Sequence, residues 1–288
     1  NKRGNGKIVS ATHYKLNSLE HLKECIKNFI NITEIPFKLN FETYIISEEE
    51  DKINKEYKYK SNKETLCGYY YKTSDKKPLI VVSSGYNDVS DSLIDVMSRY
   101  SPKIAPYFHL PLQSGSNRIL KAMNRTYDRD RFISIADKLH QKIPDICLST
   151  DVIVGFPSET EDDFLDTLDV LRRVRFDMVY AFKYSPREGT PAARMEDRIE
   201  TSVKEERIDR LLKQQDVISL ENNEKYVGLT LTVLVDSLSK RKNLKTLNAR
   251  TFSNKLVHFE GDESMIGKYV NVKIERAGVY ELYATIIN

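Results

Sequence analysis

The chain has 288 residues, with 45 Lys and Arg against 42 Asp and Glu for a net charge of +3, and it is 30% charged and 40% hydrophobic. That is the composition of a soluble globular protein of about two domains, with no apolar run of the roughly 18 residues that cross a bilayer, so no membrane contact is expected. The opening, Asn1 to Ala11, is basic and lacks the apolar stretch of a secretion signal, which makes the cytoplasm the expected compartment. Cys25, Cys67 and Cys147 are too widely spaced for a disulfide framework or a local metal site and read as buried, unpaired thiols.

Residues 1–77 carry one amphipathic helix, Ser18 to Phe29, with Leu19, Leu22, Cys25, Ile26 and Phe29 at helical spacing. Strands are expected at Lys38–Ser47 and Thr65–Thr73, with a charged, solvated segment from Glu48 to Lys63 between them. No chemical motif occurs in this region, and it stays unassigned.

From Pro78 the texture changes to short apolar runs separated by amphipathic segments, the pattern of strands and helices alternating around a parallel sheet. Four β/α units can be counted, with strands at Pro78–Ser83, Tyr107–Leu110, Asp145–Val154 and Asp177–Tyr184. Helices are expected at Ser90–Tyr100, near Asn117–Met123 and after Pro157, the last opened by a Ser158-x-x-Glu161 capping box. A long helix, Val203–Asn222, with a second Ser-x-x-Glu start at Ser202 and Glu205, leads out of this unit. Beyond it the period becomes two, at Leu229–Val235, Lys255–Phe259, Tyr269–Ile274 and Tyr280–Ile286, with Gly261, Gly267 and Gly278 at turns. This second unit is a small all-β domain.

In parallel α/β folds, ligands sit beyond the C-terminal ends of the strands. Three polar clusters fall there. In His109–Asn117, Gln113 and Ser114 suit a ribose or a carboxylate, with Gly115 freeing backbone N–H groups, although Ser114 and Ser116 also suit helix capping. Asp151 interrupts an apolar strand that ends at Gly155, where an adenine ring can lie flat; helix-dipole stabilisation explains Glu159 and Glu161 but not Asp151. Arg187, in Lys183–Thr190, suits a ligand carboxylate or an RNA phosphate, or is simply solvated. In the β unit, Lys240, Arg241, Lys242, Lys245, Arg250 and Lys255 form a basic loop with no acid between Ser237 and Phe259. Asn248, Thr251, Phe252 and Asn254 lie among them, so pairing with phosphate and stacking on bases are both on offer, against the plainer reading of a solvated face.

Four segments, His109–Ser116, Leu120–Arg125, Leu148–Thr160 and Tyr184–Pro191, followed by Ala249–Lys255, resemble the MiaB-type tRNA methylthiotransferases of the radical S-adenosylmethionine family. The resemblance covers about Pro78 to Asn288. It implies an incomplete (β/α) radical-SAM-type barrel at 78–222, a TRAM-like, OB-like RNA-binding β-barrel at 223–288, and methylthiolation of an isopentenylated adenosine beside the tRNA anticodon. S-adenosylmethionine would be held near Gln113, Ser114, Asp151 and Gly155, and tRNA by Arg187 and the basic residues of the β-barrel. The family's [4Fe–4S] clusters need a CxxxCxxC loop and three further cysteines, and neither is present: Cys25 and Cys67 are 42 residues apart. No catalytic residue or metal ligand is assigned, the family relationship and the activity of this chain stand apart, and the alternative is a non-catalytic RNA-binding protein on a half-barrel scaffold.

Overall fold

A computed structural model describes residues 41–42, 66–71, 79–84, 89–99, 101, 104–195, 199–239 and 246–287. The helix expected at Ser18–Phe29, the charged segment before Thr65 and the basic residues Lys240, Arg241, Lys242 and Lys245 lie outside them.

The first unit is a six-stranded sheet in sequence order: β1 (Phe41–Glu42), β2 (Leu66–Tyr71), β3 (Leu79–Ser84), β4 (Ile104–His109), β5 (Cys147–Val154) and β6 (Met178–Lys183). Strands β3 to β6 pair in parallel, as the four expected units require, whereas β1 and β2 join antiparallel. The β2–β3 hairpin thus runs across the boundary expected at residue 77.

Alternation along β5 shows how the sheet is covered. Leu148, Val152 and Val154 are fully buried beneath helices, while Ser149, Asp151 and Ile153 point to the opposite face. The helical layer comprises α1 (Asp91–Arg99), α2 (Asn117–Ala122), α3 (Arg129–Lys142), α4 (Glu161–Val174) and α5 (Thr201–Glu224). α3 was not expected from the sequence, although Phe132, Ile135, Ala136 and Leu139 form its buried i, i+3, i+4, i+7 stripe.

Two expected helix starts are corrected. Ser158 is in the left-handed region at φ 70°, with its carbonyl and hydroxyl engaged by Arg118, so α4 is capped instead by Thr160 with Asp163 in a reciprocal capping box. α5 begins at Thr201 without a side-chain cap, and Glu205 pairs with Lys183 at 2.9 Å.

α5 docks through polar side chains as well as Leu211 and Ile218. Gln215 donates to the Phe176 carbonyl at 2.7 Å, Ser219 to Asp177 at 3.0 Å and Asn222 to Arg175 at 3.0 Å. Those carbonyls follow the end of α4, where no intrahelical donor reaches, and each would be costly to bury unpaired.

The second unit is a closed five-stranded barrel in the order β10-β11-β9-β8-β7: β7 (Thr230–Leu238), β8 (Thr246–Arg250), β9 (Leu256–Glu260), β10 (Tyr269–Ala277) and β11 (Glu281–Ile286). Closure removes the sheet edges, and Val233, Val235, Leu247, Ala249, Val257, Phe259, Val272, Ile274 and Leu282 fill the interior. Four strands match expectation. The fifth, β8, occupies part of the segment read as a basic loop, because Leu247 and Ala249 are fully buried and only Asn248 and Arg250 alternate outward.

Candidate functional site

A cavity of about 700 Å³ opens beyond the C-terminal ends of β5 and β6, lined by Gln113, Asn124, Arg125, Asp151, Ile153, Phe156, Phe182, Tyr184 and Arg187 among others. It draws on all three polar clusters, among them Gln113, Asp151 and Arg187.

Gln113 is held by β5. Its N–H donates to the Asp151 carbonyl at 2.8 Å and its carbonyl accepts from Ile153 N–H at 2.9 Å, although its φ of 65° is unfavourable for a residue with a Cβ. An outlier costing on the order of 1–2 kcal/mol persists where surrounding bonds over-determine it, and such outliers cluster at functional sites. Asp151 projects from the face of β5 opposite the helices, where His109 Nε2 lies 3.4 Å from its carboxylate. Ser149 Oγ bonds His109 Nδ1 at 2.8 Å and Tyr107 Oη at 2.7 Å, so a chain of polar groups fixes the imidazole beside Asp151. Phe156 and Tyr184 form an edge-to-face pair at 5.1 Å on the cavity wall.

Other expected residues are placed elsewhere. Ser114 is fully buried, and its hydroxyl accepts from Ser116 N–H at 3.2 Å, while Ser116 caps α2, so the capping alternative accounts for Ser116. Gly115 does not free an N–H for a ligand, because that group donates to Thr167 Oγ1 at 2.9 Å. A Cβ there would fall 2.5 Å from the backbone of Asp166 and Thr167, so glycine serves close packing on α4.

Gly155 has φ 75° and donates its N–H to Glu159 at 2.8 Å; a Cβ on it would meet Lys204 at 2.4 Å, so α5 and not a ligand makes the close approach. Glu159 in turn pairs with Arg207 at 2.8 Å with both side chains buried, and burial pushes its carboxyl above the ordinary range despite that partner. This pair ties α5 to the β5–α4 turn.

Lys255 is not presented to solvent. Its ammonium donates to Asp177 at 2.6 Å and to Asn223 at 2.8 Å and lies over the Tyr226 ring, joining the barrel to the first unit. Arg250 bonds the Asn254 carbonyl at 3.2 Å, which closes the β8–β9 turn. Cys147 is a free buried thiol, pushed up to about 12 by burial; no group of metal-ligating side chains occurs among the described residues, and no described helix is long and apolar enough to cross a membrane.

Several lining residues had no assigned role in the sequence. Asn124 and Arg125 close the Leu120–Arg125 motif, which carries the family resemblance without stating a function, and Phe156, Phe182 and Tyr184 lie in strands or clusters with no role of their own assigned.

Residues 16–171 match the family model described as the radical SAM superfamily, and residues 224–287 match the TRAM domain. The chain belongs to the radical SAM superfamily. It is 48% identical over 226 residues to tRNA-2-methylthio-N(6)-dimethylallyladenosine synthase of Thermoanaerobacter sp. (strain X514), covering 77% of this chain and 48% of that one. The enzyme of the same name from Alkaliphilus oremlandii (strain OhILAs) is 50% identical over 206 residues, 72% of this chain and 43% of that one. This radical SAM chain therefore spans about half the length of the curated relatives it matches. Among solved structures, coproporphyrinogen III oxidase from Escherichia coli, a radical SAM enzyme, superimposes with a TM-score of 0.40 at 13% identity over 67% of this chain and 46% of that one. The sequence matches carry the assignment.

Proposed function

We propose that this chain supplies the S-adenosylmethionine-facing wall and the tRNA-docking barrel of a tRNA-2-methylthio-N(6)-dimethylallyladenosine synthase. The observation that carries this reading is the cavity that Gln113, Asp151 and Arg187 share at the strand ends. Its volume lies in the range that holds small-molecule ligands, with few polar groups set among apolar ones. The donor set suits the cofactor: the Asp151 carboxylate can accept from ribose hydroxyls, the Gln113 amide both donates and accepts, and Ile153 and Phe156 offer apolar surface to a purine. When bound, S-adenosylmethionine supplies the radical and methyl chemistry of the superfamily. In this reading Gln113 and Asp151 orient it, His109 holds Asp151 in place, and Arg187 meets the substrate.

A [4Fe–4S] cluster does not fit these residues. Three thiolates are needed in a tight spacing, and the cysteines at 25, 67 and 147 have none, with Cys147 buried. No step through a cluster is derived for this span. The same cysteine spacing favours a second reading, a non-catalytic RNA-binding protein on a half-barrel. In both readings the TRAM domain docks tRNA through the basic stretch from Lys240 to Lys245 and through Arg250, and the chain works in the cytoplasm.

Equilibrium dialysis with radiolabelled S-adenosylmethionine separates the two. The first predicts saturable binding that D151A weakens at least tenfold while the fold is retained; no binding by the wild-type chain supports the second.

A further inference from the structure

The face of the sheet opposite the helices carries an aromatic surface that neither the core nor the cofactor reading uses. Along β6 the side chains alternate: Val179 is buried beneath the helices, whereas Tyr180 and Phe182 face the other way and are 47% and 51% exposed. Strand register sets Tyr180 beside Asp151 and Phe182 beside Ile153, so both rings share the face that opens into the cavity, and Phe182 lines it. β6 is the last strand of the described sheet.

Single exposed apolar residues are ordinary, but two neighbouring rings beside a cavity mark a binding surface. Tyr180 is also held in place. Tyr180 meets His109 edge-on at 6.2 Å, and His109 is fixed through Ser149 to Tyr107, so little freedom remains to be lost when a ligand stacks.

The chemistry beside the rings selects the occupant. Arg125 and Arg187 line the same cavity and are exposed, and neither has an ion-pair partner among the described residues. Lys183, next to Phe182, is already paired with Glu205. Flat π-faces flanked by guanidinium groups suit an unstacked base and its adjoining phosphate, the combination by which proteins hold single-stranded RNA. An apolar protein segment would gain nothing from the two arginines.

We propose that Phe182, supported by Tyr180, is the stacking platform for one unpaired nucleobase of the RNA substrate, with Arg187 on the adjoining phosphate. The inference rests on the reading of this chain as tRNA-binding and adds the subsite at which the base is received.

The test uses the full chain and a fluorescein-labelled RNA hairpin, with 2-aminopurine replacing an adenosine of its loop in a second preparation. Anisotropy reports binding, and quenching of 2-aminopurine reports stacking. Wild type and F182Y are expected to quench the probe at saturation; F182L, which keeps apolar bulk but has no ring, is expected to leave it bright and to bind about tenfold more weakly, the scale of one base–aromatic stack. Equal quenching by F182L and wild type would overturn the platform. Full binding with no quenching by either would overturn it as well and leave the rings to a protein partner. No binding of the hairpin by the wild type would contradict the tRNA reading and this inference together.

Discussion

Lys255, at the entry to β9, donates a 2.6 Å hydrogen bond to Asp177, at the entry to β6, and so joins the TRAM barrel to the radical SAM sheet. Both side chains are largely buried, and Asp177 is anchored in turn by accepting from Leu148 N–H at 2.9 Å. Burial alone would disfavour the ammonium, but the acidic groups around it, Cys147 and Asp177, raise its pKa above the ordinary lysine value. Its contribution is therefore fully present below the unfolded lysine value of about 10.4 and is lost as the pH rises through the raised one.

A buried pair is weak evidence of net stabilisation, yet removing one partner strands a charge and costs about 3–5 kcal/mol. K255M should accordingly lower the unfolding free energy by about 3 kcal/mol, and K255M/D177N should recover most of the loss, because no charge is then left buried. Denaturant melts of the four proteins in this double-mutant cycle measure the coupling; simple additivity of the two single substitutions would contradict the fastening role.

Asp163 closes the first turn of α4 and accepts from Ser116 Oγ at 2.6 Å, from Thr160 N–H at 2.8 Å and from Arg118. Burial works against its ionised form, but the donors from Arg118, Ser116 and Thr160 outweigh that and hold the carboxyl well below the usual carboxylate range. A depressed folded pKa adds stability above the unfolded value of about 3.9, lost as the pH falls through the folded one. D163N should be less stable by about 2 kcal/mol at pH 7. The gap to wild type should narrow below pH 4; a gap independent of pH would show that the charge is not what the network uses.

Neutralising Lys240, Arg241 and Lys242 together should weaken tRNA binding and flatten its dependence on salt, by roughly 0.7–0.9 in log–log slope for each phosphate no longer neutralised. K255M should leave that slope unchanged, because its ammonium is engaged with Asp177. Binding isotherms across a salt series distinguish the two groups of lysines.

The strand positions in the sheet and in the barrel were legible because apolar runs and period-two alternation report burial directly. That Gln113, Asp151 and Arg187 fall at one cavity was legible because polar residues at strand ends have few structural uses. The rest depended on relationships that spacing does not encode. Gly155 read as making room for a ligand and Gly115 as freeing backbone N–H groups, yet the room beside Gly155 is filled by Lys204, 49 residues further along, and Gly115 packs against the backbone of Asp166, 51 residues further along. Lys255 looked like part of a basic loop because its partner, Asp177, lies 78 residues earlier. β8 was hidden by its own polar residues, with Asn248 and Arg250 drawing attention from the buried Leu247 and Ala249 with which they alternate. Phe182 has the apolar character of a core residue, and only its exposure separates it from one.

The central claim is that the cavity beyond β5 and β6 receives S-adenosylmethionine against Asp151. A crystal structure of the chain with S-adenosylhomocysteine, which has the same adenosine and is chemically inert, tests this most directly. Ribose hydroxyls within hydrogen-bonding distance of Asp151 and a purine against Ile153 and Phe156 are the expected result. Ligand density at another site, or a cavity that stays empty at saturating ligand, would contradict it.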